Sequence, residues 1–94
     1  MTKDQILNFL KENKELLQKR FKVTSIGLFG SYARDNQASD SDIDIIVDMP
    51  SSFDNYFDLK EFLEDNLKKN VDLGLEKNLR LLIKQKIVNE IIYV

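Results

Sequence analysis

The stretch DIDIIVDM, residues 42–49, sets the strongest constraint on how this chain can fold. Its β-branched residues favour a strand, and the side chains of a strand point alternately to its two faces. Ile43, Ile45 and Val47 therefore share one face, while Asp42 and Asp44 share the other. Two adjacent carboxylates repel each other, and burying them is unfavourable unless a cation compensates. We expect a strand with the core on one side and a charged site on the other.

Helices and strands alternate along the rest of the chain. A helical stripe of apolar residues reaches about residue 20, and Thr2 and Gln5 have the spacing of a capping box at its start. Three further segments follow before Pro50: a strand over residues 23–30, a short helix or turn over 31–36, and the second strand over 42–49.

The second half of the chain continues this alternation. We expect a helix capped by Ser51 or Ser52, a third strand over residues 71–75, and a last helix that begins at Asn78. The core-facing positions of these helices are predicted to be Phe53, Tyr56, Phe57, Leu59, Phe62, Leu63 and Leu67, then Leu79, Leu82, Ile83, Ile87, Val88, Ile91 and Ile92. The order αβ(α)βαβα predicts an α/β fold with a small mixed three-stranded sheet flanked by helices, in one domain over residues 1–94.

The composition limits which side chains can bind metal or transfer protons in this protein. The 94 residues include no cysteine and no histidine, so disulfides and thiolate-metal sites are excluded. Any proton transfer must use carboxylates, lysines, tyrosines or a metal-bound group. The net charge of -2 argues against broad capture of nucleic acid or anionic membrane. No apolar stretch is long enough to span a bilayer, and no signal peptide begins the chain, so we expect a soluble, cytoplasmic protein.

Asp72 repeats the carboxylate pattern on the third predicted strand. Val71, Leu73 and Leu75 share one face there, and Asp72 points to the other. If this strand pairs with the second, Asp42, Asp44 and Asp72 can converge, and an all-oxygen cluster suits Mg²⁺ or Mn²⁺. The competing interpretation is that these are ordinary solvated aspartates near strand ends. It is strongest for Asp42 taken alone, weaker for Asp72, and weakest for the Asp42/Asp44 pair.

Gly30-Ser31 ends the first predicted strand and offers a place for phosphate. A glycine there lets a phosphate approach the backbone, and the following turn presents amide groups and a hydroxyl. Arg34 lies one turn further on and could add charge-assisted hydrogen bonds. Many strand-to-helix turns carry Gly-Ser without any such role, and an exposed arginine is usually just solvated. The nucleotide-binding motifs GxxxxGK[ST] and GxGxxG are absent.

The spacing of these residues resembles a known signature. Gly30-Ser31, ten intervening residues and Asp42-Ile43-Asp44 form GS-x10-DxD, which is similar to the signature of DNA-polymerase-β-like nucleotidyltransferases, and specifically of the minimal nucleotidyltransferase (MNT) domain. The stretches GSYAR, SDSDIDIIVD and the closing VDLGL to Tyr-Val segment extend the resemblance over nearly the whole chain. Asp35 and Gly74 depart from it, since many relatives carry glycine and a bulky apolar residue at these positions.

The resemblance implies a polymerase-β-like nucleotidyltransferase core with a two-metal mechanism. Asp42 and Asp44 would bind two Mg²⁺ ions, with Mn²⁺ as an alternative, and ATP would be the substrate. Asp72 would be the third metal-binding and catalytic carboxylate, or the acceptor of a hydroxyl proton. Gly30 and Ser31 would hold the terminal phosphates, with help from Arg34.

MNT proteins of this size resemble the antitoxins of HEPN/MNT toxin–antitoxin pairs. The resemblance implies a protein adenylyltransferase, a type VII antitoxin that transfers AMP from ATP to a tyrosine of a HEPN RNase toxin in a hetero-oligomer, without touching nucleic acid or membrane itself. Two alternatives stay open: neutralisation of the partner by binding alone, and service as the catalytic subunit of a small-molecule nucleotidyltransferase. The isoleucines of the last helix, with Tyr93, are interpreted as core rather than as partner surface.

Overall fold

A computed structural model describes residues 1–50, 53–78 and 90–94 of the chain. Its elements are, in order, α1 Lys3–Glu12, α2 Lys14–Phe21, β1 Ser25–Phe29, α3 Gly30–Ala33, β2 Ile43–Asp48, α4 Phe53–Leu67, β3 Val71–Leu75, a 3-10 turn Glu76–Asn78 and β4 Ile92–Tyr93. The predicted α/β class is confirmed. The cap expected at Ser51 or Ser52 and the helix expected over residues 79–89 lie outside the described residues.

The amino-terminal helical segment is two helices, not the single helix predicted. Its start is as expected: the Thr2 hydroxyl accepts from the Gln5 amide at 3.2 Å, and the Gln5 side chain accepts from the Thr2 amide at 2.9 Å. The break comes at Asn13, whose side-chain amide donates to the Phe9 carbonyl at 2.8 Å. Asparagine side chains compete in this way with the backbone bonds of a helix, so one helix ends here and another begins.

The four strands form one mixed sheet in the order β3-β2-β1-β4. β2 and β3 are parallel and are connected through α4, whereas β1 is antiparallel to both of its neighbours, β2 and β4. A parallel pair needs such a crossover connection. The second and third strands therefore pair, which is the condition for their aspartates to converge.

The fourth strand corrects the prediction of three. The last helix was expected to continue to Ile92, but Ile92 pairs with Leu28 and Tyr93 pairs with Gly27 across β1. Val94 extends this contact, since its amide donates to the Ile26 carbonyl at 3.1 Å. A β-branched and an aromatic residue suit an edge strand, and β1 offered an unpaired row of backbone groups that this segment satisfies.

The core lies on the face of the sheet that carries Ile43, Ile45 and Val47, as predicted. The helices cover it with side chains that include Ile6, Leu10, Leu17, Phe21, Leu59, Leu63 and Leu67. The ring of Phe62 bridges helices, with its centroid 6.1 Å from that of Phe9 and 5.6 Å from that of Phe21.

Three residues predicted to face the core are exposed instead. Leu16, in the first helical stripe, is 38% exposed, Phe57 is 49% exposed and Tyr93 is 43% exposed. Leu16 and Phe57 lie at the edge of a helical stripe, where a periodic pattern does not distinguish a core position from a neighbouring surface position. Tyr93 lies in the edge strand β4 rather than at the end of a helix. In the described part of the chain, no helix has the length and apolar character needed to cross a membrane.

Candidate active site

Asp44 and Asp72 meet on the face of the sheet opposite the core. They are register partners in the parallel β2–β3 pair, and neighbouring strands lie about 4.8 Å apart. Their side chains therefore project side by side, close enough for a hydrogen bond when one of the two carboxyl groups is protonated. Asp42, just before β2, is exposed, yet its charge reaches Asp44. The structure thus brings two of the predicted carboxylates into contact and places the third nearby.

This cluster changes the acidity of Asp44. Burial raises the pKa of the Asp44 carboxyl above its ordinary value, and the negative charges of Asp72 and Asp42 raise this pKa further. The hydrogen bond with Asp72 acts in the same direction, while the positive charge of Arg34 lowers the pKa of Asp44. Asp44 is therefore a carboxylate with too little positive charge around it, as expected of a ligand for a cation.

Gly30 lies against Asp44 and must be glycine. Phe29 at the end of β1 pairs with Asp44, so the turn that follows β1 passes directly beside the carboxylate. Gly30 has a φ of +77°, and a Cβ there would overlap the Asp44 carboxylate and lie 2.8 Å from its Cγ. Both the backbone conformation and the absence of a side chain are needed to bring this turn so close to the carboxylate.

Ser31 follows Gly30 in the short helix α3 and is half-buried. Its carbonyl accepts from the Asn36 amide at 2.8 Å, and the Gly30 carbonyl accepts from the Arg34 amide at 3.2 Å. The backbone of the turn is thus held in place by its own hydrogen bonds. The Ser31 hydroxyl makes no hydrogen bond to another described residue, so it can serve a ligand.

Arg34 stands at the edge of the carboxylate cluster. Its charge acts on Asp44, and its Nη1 atom lies 3.1 Å from Oε2 of Glu90. Glu90 lies two residues before β4 and 56 residues after Arg34 in the chain. The predicted phosphate-binding arginine therefore lies beside the site, paired with a residue that the sequence did not single out.

The structure shows why aspartate is tolerated at position 35, where many relatives carry glycine. It has a φ of 55°, in the left-handed region that glycine adopts without strain. Aspartate is among the few other residues that tolerate this conformation. Its carboxylate lies 3.0 Å from Nζ of Lys3, so the extra negative charge is paired with a lysine of α1.

Gly74, the other departure from the family pattern, lies in β3, next to Ile46 in register. A Cβ there would approach only the Ile45 carbonyl oxygen, at 4.0 Å, so this face of the sheet has room for a side chain.

An open depression of about 540 Å³ lies on the other side of Asp42. It is formed by the loop before β2 and the turn between α4 and β3, and its lining residues are Asp40, Ser41, Asp42, Glu64, Lys68, Lys69 and Asn70. Two hydrogen bonds shape its walls: Lys69 Nζ donates to the Ser39 carbonyl at 2.8 Å, and Glu64 Oε2 accepts from the Val71 amide at 2.9 Å.

The oxygen donors of the site suit a hard divalent cation, but they do not form a complete set of metal ligands. Within residues 1–50, 53–78 and 90–94, no three carboxylates are grouped closely enough to hold a metal ion as they stand. Asp44 and Asp72 are already in contact, and a cation between them would relieve their repulsion. Asp42 makes no hydrogen bond or ion pair within the described residues, so its side chain is free to turn towards Asp44.

The decisive comparison is with protein families. The chain matches the nucleotidyltransferase domain family over residues 6–94. The chain belongs to this family. It is therefore a nucleotidyltransferase, as its signature predicts. A curated relative, the protein adenylyltransferase MntA of Thermococcus cleftensis, is 38% identical over 96 residues, which cover 100% of this chain and 97% of that protein.

Solved structures agree with this assignment. One that is provisionally described as a minimal nucleotidyltransferase has a TM-score of 0.82 and 28% identity, covering 98% of this chain and 95% of that one. A toxin–antitoxin crystal structure with AMP-PNP has a TM-score of 0.69 and 26% identity, covering 99% and 72% of the two chains. An MNT antitoxin in complex with the tri-AMPylated HEPN toxin of Shewanella oneidensis has a TM-score of 0.61 and 28% identity, covering 89% and 68%.

Two features of the site were missed by the sequence reasoning. Glu90 and Lys3 pair with Arg34 and Asp35, the two charged residues that follow the Gly-Ser turn. Neither partner lies in a motif, and both are distant in sequence from the residue they contact. Their roles depend on where β4 and α1 are placed, which periodicity alone does not give.

Proposed function

We propose that this chain is a protein adenylyltransferase that transfers AMP from ATP to a tyrosine of a HEPN-domain partner and thereby acts as its antitoxin. The observation that carries the proposal is the contact of Asp44 with Asp72 directly beside Gly30. The named relative and the HEPN complexes of its structural neighbours support the choice of acceptor.

The reaction joins the acceptor oxygen to the α-phosphorus of ATP. The bond from the α-phosphorus to the bridging oxygen breaks, and pyrophosphate leaves with the electron pair of that bond. The tyrosine hydroxyl loses its proton, and AMP stays on the partner as a phosphodiester. Catalysis of this kind depends on positioning and charge stabilisation.

Each side of the site has a separate task. Asp42 and Asp44 would hold the divalent metal ions, and Asp72, which is exposed, would either complete the metal site or accept the hydroxyl proton. When bound, two Mg²⁺ ions would neutralise the charge of the triphosphate and of the departing pyrophosphate. Mn²⁺ has the same preference for oxygen ligands and can replace Mg²⁺.

The Gly-Ser turn would receive the terminal phosphates. The absence of a side chain at Gly30 lets them approach the backbone, and the Ser31 hydroxyl adds a donor. Arg34 would supply charge-assisted hydrogen bonds to the same phosphates. With no histidine in the chain, the carboxylates and the metal carry all the proton and charge chemistry.

We infer that the protein works in the cytoplasm, in a hetero-oligomer with its partner and without direct contact to nucleic acid or membrane. The net charge of -2 supports the part of this inference that concerns nucleic acid and anionic lipid. An acidic surface binds neither nucleic acid phosphates nor anionic lipids by charge alone.

The test is co-expression of this chain with the protein encoded beside its gene, followed by the intact mass of that neighbour, which the proposal expects to be a HEPN protein. We expect the wild-type chain to add whole AMP units, and the double substitution Asp42→Ala/Asp44→Ala to add none. Asp48→Asn is the matched control: it changes an aspartate of the same strand that accepts a hydrogen bond from Thr24 at 3.0 Å, away from the cluster. This variant should modify the partner as the wild type does.

Other outcomes would overturn the proposal in distinct ways. An unmodified partner that still co-purifies would show that neutralisation is by binding alone. An unmodified partner that does not associate would favour a small-molecule acceptor.

A further inference from the structure

Arg34 is shared between two sets of negative charges. On one side is Asp44, whose pKa the arginine lowers by its charge. On the other is Glu90, with 3.1 Å between Nη1 and Oε2. The side chains of Arg34 and Glu90 are 49% and 40% exposed, so the pair lies at the rim of the site rather than beneath it.

The place of Glu90 is set by the same strand that leads to the Gly-Ser turn. Ile91, the next residue, lies over Gly27 of β1, and Ile92 pairs with Leu28. β1 then continues directly into Gly30. Glu90 is therefore held at a defined position relative to the turn that carries Arg34.

An exposed ion pair of this kind adds little to stability. Its effect must instead be on where the guanidinium points. An arginine on a solvent-exposed turn has many rotamers, and the Asp44 carboxylate, on which its charge already acts, is an alternative partner for it. An ion pair there would occupy the oxygens that a divalent cation needs.

We propose that Glu90 is a positioning residue. It holds the Arg34 guanidinium near the carboxylate cluster and prevents it from forming an ion pair with Asp44 or Asp72. This arrangement leaves Asp44 and Asp72 open for metal and presents the guanidinium to the triphosphate of the nucleotide. The inference rests on the proposed function, because it assigns Glu90 to the same nucleotide site. Glu90 itself touches neither phosphate nor metal.

The proposal predicts a loss of nucleotide affinity without a loss of chemistry. Glu90→Gln removes the charge that holds Arg34 but keeps the size of the side chain. We expect its Kd for Mg²⁺ with AMP-PNP to rise about three- to fivefold, as for loss of an exposed ion pair. KM for ATP should rise by a similar factor, and kcat should stay near the wild-type value because the carboxylates are unchanged.

The test is calorimetric titration of the full chain with Mg²⁺ and AMP-PNP, for wild type, Glu90→Gln, Arg34→Gln and the double variant. The double variant should bind no more weakly than Arg34→Gln alone, since Glu90 acts only through Arg34. Glu90→Asp keeps the charge on a shorter side chain and should fall between wild type and Glu90→Gln. Glu15→Gln is the matched control, because Glu15 forms an exposed ion pair with Lys19 on α2.

Four results would overturn the proposal. Wild-type affinity in Glu90→Gln would show that Arg34 needs no positioning. Additive losses in the double variant would show that Glu90 acts independently of Arg34. Wild-type affinity in Arg34→Gln would show that the arginine does not bind the nucleotide, which overturns this inference and leaves the proposed function standing. A wild-type chain that binds no nucleotide would overturn the proposed function and this inference with it.

Discussion

At Asp44, burial and the charges of Asp72 and Asp42 raise the pKa of the carboxyl. A group whose pKa is higher in the folded than in the unfolded state stabilises the fold most when it is protonated. This contribution is fully present below the unfolded value of 3.8 and is lost as the pH rises through the folded value. At neutral pH the ionised Asp44 therefore destabilises the fold. This unfavourable electrostatic free energy arises in the site rather than in the core.

Replacement of Asp44 by asparagine should stabilise the protein while abolishing AMP transfer. We expect the Tm at pH 7 in the absence of metal to rise by about 2–5 °C, because a repelling charge is removed and the shape is kept. The gain should shrink as the pH is lowered towards 3.8. Thermal unfolding across this pH range measures it.

Two comparisons make this test specific. Asp48→Asn on the same strand should leave the Tm nearly unchanged, and Mg²⁺ should raise the Tm of the wild type more than that of Asp44→Asn. A lower Tm for Asp44→Asn at pH 7 would show that the carboxylate stabilises the fold, which contradicts the electrostatics described above.

Gly30 gives a second prediction from a single residue. Gly30→Ala places a Cβ into the Asp44 carboxylate at a φ of +77°, so we expect it to lower the free energy of unfolding by about 1–2 kcal/mol and to abolish nucleotide binding. Gly74→Ala is the control, because its Cβ would meet only a carbonyl oxygen at 4.0 Å. Urea unfolding should show that Gly74→Ala is as stable as the wild type or more so, since glycine is unfavourable within a strand. Equal stability of the two variants would remove the steric argument.

At the scale of the elements, the pairing of β4 with β1 depends on a close approach of their two backbones. A Cβ at Gly27 would lie 2.7 Å from Cγ2 of Ile91 and 3.2 Å from the Ile92 carbonyl oxygen. We therefore expect Gly27→Ala to destabilise the protein by about 1–3 kcal/mol. It should also increase hydrogen exchange at the Val94 amide, which donates to Ile26. The second substitution Ile91→Ala should recover part of the loss, and no recovery would mean that the crowding lies elsewhere.

The sequence predicts the elements that have a strong periodic signal. The alternation of Ile and Asp in β2 and of Val, Asp and Leu in β3 gave the correct faces, because side chains in a strand alternate regardless of what packs on them. The break at Asn13 and the two-residue strand β4 were not predicted. Each depends on a local competition for backbone hydrogen bonds that apolar periodicity does not record.

For the molecule as a whole, the family and the carboxylate site could be predicted from the sequence, but the residues that surround the site could not. The signature places Gly30 and Asp44 in one site through their spacing alone. The pairs Arg34–Glu90 and Lys3–Asp35 join distant parts of the chain, and exposed charges carry no pattern that would predict their partners. These pairs decide how positive charge is distributed around the carboxylates.

The central claim is that this site directs a hydroxyl of the partner protein to the α-phosphorus of ATP, so that AMP stays on the partner and pyrophosphate leaves. It is tested most directly by incubating the purified chain and its HEPN partner with Mg²⁺ and ATP labelled on either the α- or the γ-phosphate. We predict label on the partner only from the α-labelled ATP, with release of pyrophosphate and no transfer by Asp44→Asn. Label from the γ-phosphate, or α-label transfer that persists in Asp44→Asn, would contradict the account.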